Sequence, residues 1–80
     1  MKKVDGLNIA IGRTVKELRE QAGLTQEELA AKCETSSVYI SEIERGIKNP
    51  SSATLMQLAL SLEMKMSDLV LKIEEQFEYK

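Results

Sequence analysis

The 80-residue chain has no histidine and no tryptophan, one cysteine, one proline, two tyrosines and one phenylalanine. Without histidine the usual general base and the commonest metal ligand are missing, and Cys33 has no second cysteine with which to form an internal disulfide. There is also no glycine-rich phosphate loop. No catalytic chemistry, metal or cofactor is therefore expected. Apolar runs extend over only a few positions, and Met-Lys-Lys is followed by Val-Asp-Gly rather than a hydrophobic stretch, so neither a membrane span nor an export leader is expected. A cytoplasmic location follows as the expectation. Eighty residues suffice for one domain, 1–80, near the lower limit at which a core is stable without staples.

Acid is in slight excess, with a net charge of −2. Its distribution is uneven: residues 1–22 carry Lys2, Lys3, Arg13, Lys16 and Arg19 against Asp5, Glu17 and Glu20, whereas Glu74, Glu75 and Glu78 crowd the tail. The overall sign argues against a polyanionic partner, but an acidic tail can lie far from a basic face.

What is present is helical periodicity nearly throughout. Ile11, Val15, Leu18 and Ala22 form one apolar stripe, with Asn8 as the candidate cap and Gly23 as the stop. Thr25-Gln26-Glu27-Glu28 reads as a capping box opening a second helix that runs to about Lys32 with Leu29 and Ala30 inward. After the short Cys33–Thr35 turn, Ser36 or Ser37 caps a third helix with Ile40 and Ile43 inward, ending at Arg45 and Gly46. So short a turn makes the second and third helices cross steeply. Pro50 precedes a fourth helix opened by Ser51 or Ser52, with Leu55, Leu58, Ala59 and Leu62 inward. Ser67-Asp68 opens a fifth, over about 67–78, with Leu69, Val70, Ile73 and Phe77 on one side. The expected fold is all-α, a compact five-helix bundle with its core over residues 8–70.

From Leu24 to Val70 the chain resembles the phage-repressor, Cro and restriction-modification controller family of helix-turn-helix regulators, the XRE or HTH_3 family. "LTQEELAAKC", "YISEIERGIKNPSSATLMQLALSL" and "SDLV" stand in the family's order and spacing, and "IGRTVKELREQAG" extends the likeness through the first helix. The resemblance implies a lambda-repressor-like fold with the third helix in the major groove of double-stranded DNA and Gln26 against phosphate and a base edge. It places Ser36, Ser37, Val38, Tyr39, Ser41 and Glu42 on or beside the reading face. The small hydroxyls of this helix cannot make bidentate base contacts, whereas Val38 could pack on a thymine methyl. The Tyr39 ring could reach phosphate or seal the helix pair. Arg45, Lys48 and Asn49 follow on the loop where the family binds phosphate, and Arg19 and Glu44 occupy positions that form a structural ion pair.

Two positions depart from the pattern. Glu34 stands where the family has glycine or asparagine in a left-handed turn, implying strain on the order of 1 kcal/mol or a shifted turn. Cys33 replaces an apolar residue and reads as a buried, inert thiol.

Met64, Met66, Val70, Leu71, Ile73 and Phe77 exceed what one small bundle easily buries and are assigned to a homodimer face. The alternative is that Leu69, Val70, Ile73 and Phe77 close the monomer core. The functional expectation is a homodimeric regulator, repressor or controller, on an inverted-repeat operator. Controller proteins, phage repressors and antitoxins share the pattern. The rival expectation is an interaction module that docks on RNA polymerase or a toxin and binds DNA weakly.

Overall fold

The computed structural model describes residues 6–77. They form α1 (Leu7–Gln21), α2 (Gln26–Lys32), α3 (Ser37–Glu44), α4 (Ser52–Ser61) and α5 (Met66–Gln76), with no strand among the described residues. α3 packs against α1 and α2, and α5 against α1 and α4. One apolar cluster joins all five helices: Val15, Leu29, Ile40, Ile43, Leu58 and Leu69 are sealed from solvent at its centre.

Hydroxyl caps begin three of the helices. The Thr25 hydroxyl accepts from the Glu28 amide at 3.0 Å while the Thr25 amide donates to the Glu28 carboxylate at 2.9 Å, a complete capping box. These bonds hold the Glu28 carboxyl below the usual carboxylate range. The carboxylate half of the box is therefore at full strength above that range and weakens as pH falls through the lowered pKa, while the bond from the Glu28 amide to the Thr25 hydroxyl does not titrate. Ser36 accepts from the Tyr39 amide and Ser51 from the Thr54 amide, both at 3.1 Å.

The other two starts differ from expectation. α1 begins one residue before Asn8, behind Gly6, whose left-handed φ of 85° turns the chain without a side-chain cap. α5 begins at Met66, ahead of Ser67-Asp68, with Lys65 at the cap position and no side-chain bond. It ends at Gln76, where Phe77 turns extended as the C-cap, short of the expected end at 78; position 78 itself lies outside the described residues. Ala22 also differs, being the exposed C-cap of α1 rather than part of its buried stripe.

Four helices end in the same way. After α1, the Gly23 amide donates to the Glu20 carbonyl and the Leu24 amide to the Arg19 carbonyl, each at 3.0 Å, which is the Schellman pattern. Thr35 to Ala30, Ile47 to Glu42 and Met64 to Ala59 repeat the longer bond after α2, α3 and α4. The left-handed residue is Gly23 after α1 and Gly46 after α3, but Glu34 after α2 and Glu63 after α4, both with φ of 56°. The turn between α2 and α3 is thus unshifted, and Glu34 accepts the left-handed conformation.

The dimer assignment of Ile73 is corrected by its burial. At 6% exposure this side chain closes the core from α5, as Leu69 does one helical turn earlier. Its neighbours Val70 and Leu71 are exposed, so α5 is apolar on two faces. Cys33 is buried, with its thiol donating to the Ser61 hydroxyl at 3.2 Å.

Candidate nucleic-acid interface

Burial of Ile40 and Ile43 fixes which side of α3 faces solvent. At 100° per residue the opposite side carries Val38, Ser41, Glu42 and Arg45, with Ser37 and Tyr39 at its edges. Val38 is 65% exposed and Arg45 is exposed, while Ser37, Ser41 and Glu42 are half-buried. Tyr39 packs partly against the core, so its ring seals α3 onto the bundle. Ser36 uses its hydroxyl oxygen to cap the helix. Beyond Gly46, the residues Ile47, Lys48 and Asn49 are all exposed and extend the same end of α3.

The orientation of α3 is fixed from behind by one polar network. Arg19 of α1 donates through Nε to Glu44 Oε2 at 2.7 Å and through Nη2 to Glu44 Oε1 at 3.1 Å. Its Nη1 donates to the Leu24 carbonyl at 2.8 Å. Gln26, the first residue of α2, adds a bond from Nε2 to Glu44 Oε1 at 3.0 Å. The side chains of Arg19 and Glu44 are 11% and 3% exposed, and the hydrogen bond to Glu44 holds the guanidinium above its already high ordinary pKa. A carboxylate can only accept, so the amide of Gln26 must present nitrogen to it. One of its two amide hydrogens is thereby committed, and one remains.

The residues assigned to the dimer face divide. Met64 and Met66 are half-buried against the core and border an open groove of about 450 Å³ that also takes in Met56, Leu60, Glu63 and Lys65. Met56 and Leu60 were not among the expected face residues, yet they are exposed at 45% and 62%. Their signal was available: they stand four apart, off the inward stripe of Leu55, Leu58, Ala59 and Leu62. Ile47 was missed for a different reason, since it serves as the apolar residue following a Schellman turn and lies in a loop without periodicity. Among the described residues no helix is long and apolar enough to cross a membrane, and no group of three potential ligands is placed to hold a metal.

The HTH_3 helix-turn-helix model matches residues 15–69, which includes all of α2, α3 and α4. The chain belongs to the HTH_3 family. A member from Sinorhizobium fredii, the uncharacterized HTH-type transcriptional regulator y4dJ, is 40% identical over 75 residues, covering 94% of this chain and 90% of that one. The immunity repressor of Bacillus phage phi105 is 39% identical over 75 residues, and the chain spans about half of its length (52%). Among solved structures, the clp gene regulator ClgR from Corynebacterium glutamicum superposes with a TM-score of 0.86 at 29% identity, covering 94% of this chain and 80% of that one. The restriction-modification controller protein C.Esp1396I, solved as a tetramer with its 35-base-pair operator, superposes at 0.82 with 28% identity, covering 89% of this chain and 93% of that one. The chain is thus an HTH_3 transcriptional regulator related to phage repressors and restriction-modification controllers.

Proposed function

We propose that the protein binds an inverted-repeat DNA operator as a homodimer and regulates transcription there, with α3 in the major groove. The observation that carries this reading is the solvent face of α3. It is kept clear of the core by Ile40 and Ile43, held in register by the Arg19–Glu44–Gln26 network and continued by Arg45, Lys48 and Asn49. Arg45 and Lys48 supply the phosphate contacts that place α3, and Gln26 offers its remaining amide hydrogen to the backbone beside them. The likeness to C.Esp1396I, a protein solved on an operator, supports the same use of the fold.

Two copies are needed because one short helix spans only a few base pairs, whereas a two-fold pair reaches half-sites about one helical turn apart. Met56, Leu60, Met64 and Met66 supply the apolar surface for the pairing, with Val70 and Leu71 exposed on α5.

Selection on a random duplex library at moderate salt tests the reading. The expected survivors carry an inverted repeat with half-sites about 10 base pairs apart. A library that survives unselected, or is not retained, would replace it with docking on a protein such as RNA polymerase or a toxin.

A further inference from the structure

Between Ser36 and Glu44 there is no arginine, lysine, asparagine or glutamine. These are the side chains that pair bidentately with guanine or adenine in the major groove, so the turns of α3 ahead of its C-cap Arg45, which is assigned to phosphate, carry none of the groups that usually choose a purine. The nearest amide, that of Gln26, is anchored to Glu44 at 3.0 Å. The hydroxyl of Ser36 is engaged as the helix cap. What the solvent face does present is Val38, the most exposed of the large hydrophobic side chains among the described residues. A valine in a helix is held almost entirely in one rotamer, so its two methyl groups project in a fixed direction at no further ordering cost.

Only one base offers an apolar group in the major groove, the C5 methyl of thymine. We infer that each operator half-site places a thymine against Val38 and is read there through that methyl group. The inference rests on the reading of α3 as the groove-inserted helix. It assigns the specificity of this helix to shape and apolar contact, since the Ser37 and Ser41 hydroxyls can donate to the acceptors of guanine, adenine and thymine or accept from the amines of cytosine and adenine, and Glu42 can accept from either of those two amines.

The test uses a duplex recovered by selection, with each thymidine replaced in turn by 2′-deoxyuridine, which removes the methyl and leaves base pairing intact. One position per half-site is expected to weaken binding by about fourfold, the value of one methyl group withdrawn from water. V38A is expected to bind the thymidine duplex more weakly and to show no preference for thymidine over deoxyuridine at that position, while V38I retains the preference. Because Val38 is 65% exposed, neither change disturbs the core. A duplex bound well but indifferent to deoxyuridine throughout, or a preference that persists in V38A, overturns the inference alone. Failure to retain any duplex overturns it together with the DNA-binding reading.

Discussion

Gly12 on α1 lies directly against the backbone of Ile43 on α3. A Cβ added to Gly12 would collide with the Ile43 carbonyl oxygen and stand 2.6 Å from that of Glu44. Both obstacles are main chain in a helix, so neither can swing aside as a side-chain tip could. The absence of one methyl group therefore sets how closely the two helices approach. G12A is expected to destabilise the fold by about 1–3 kcal/mol, the usual cost of overpacking, even though alanine is the better helix former. Thermal denaturation should show a fall of at least about 4 °C. An unchanged midpoint would mean that α1 and α3 can separate without cost.

The same pair of helices is held electrostatically through Arg19 and Glu44. Their attraction is offset by the desolvation of both groups, so the pair itself adds little, but removing one partner strands the other. E44A and R19A are each expected to cost about 3 kcal/mol. That is a large part of the roughly 5–15 kcal/mol that stabilises a domain. The double variant R19M/E44L should recover most of the loss, since it leaves no unpaired charge. Urea denaturation of the four proteins decides this, and additive losses in the double variant would contradict a coupled pair.

Glu34 and Glu63 hold left-handed turns that glycine holds after α1 and α3. A side chain in that conformation costs on the order of 1 kcal/mol, so E34G and E63G should each stabilise the fold by about that amount. The offsetting entropy of glycine in the unfolded chain sets the lower bound on the gain. A fall in melting temperature in either variant would show that the glutamate makes a compensating contact.

Glu34 and Glu63 also mark what could be read from the sequence. Glu34 was identifiable because the helix-turn-helix pattern names the turn position, whereas Glu63 sits in an equivalent turn with no motif around it. The helices themselves were legible because Ile40, Ile43, Leu58 and Ala59 keep strict helical spacing and because hydroxyl caps precede three of them. Gly12 was not legible: within a helix a glycine reads only as a weak former, and the carbonyls it meets lie 31 and 32 positions away. Ile73 was misassigned because α5 is apolar on two faces and periodicity does not say which one is covered. The ion-pair residues were named by resemblance, but the attachment of Gln26 to Glu44 needed the third dimension.

Exposed apolar residues on α4 predict where two copies meet. Leu60 is 62% exposed and borders the groove with Met56, Met64 and Met66, so L60K should leave the monomer folded. Sedimentation is expected to show the wild-type chain as a dimer and L60K as a monomer, with circular dichroism unchanged. If L60K sediments as the wild type does, the pairing surface lies elsewhere, and Leu71 on α5 is the next residue to replace.

Arg45 and Lys48 separate positioning from reading. Both lie at the exposed C-terminal end of α3 or just beyond it, and Arg45 lies loosely over its own helix, with Nε 3.4 Å from the Ser41 carbonyl. A cation that meets phosphate displaces condensed counterions, and each such contact contributes about one to the slope of log affinity against log salt. R45A and K48A are therefore expected to weaken binding nearly equally on selected and unrelated duplexes and to lower that slope by about one each. Changes at Ser37 or Val38 should instead alter which duplex is preferred and leave the slope alone. Affinities measured at several salt concentrations distinguish the two classes. A slope that R45A and K48A leave unchanged would remove the loop after α3 from the phosphate backbone and require α3 to be placed by other residues.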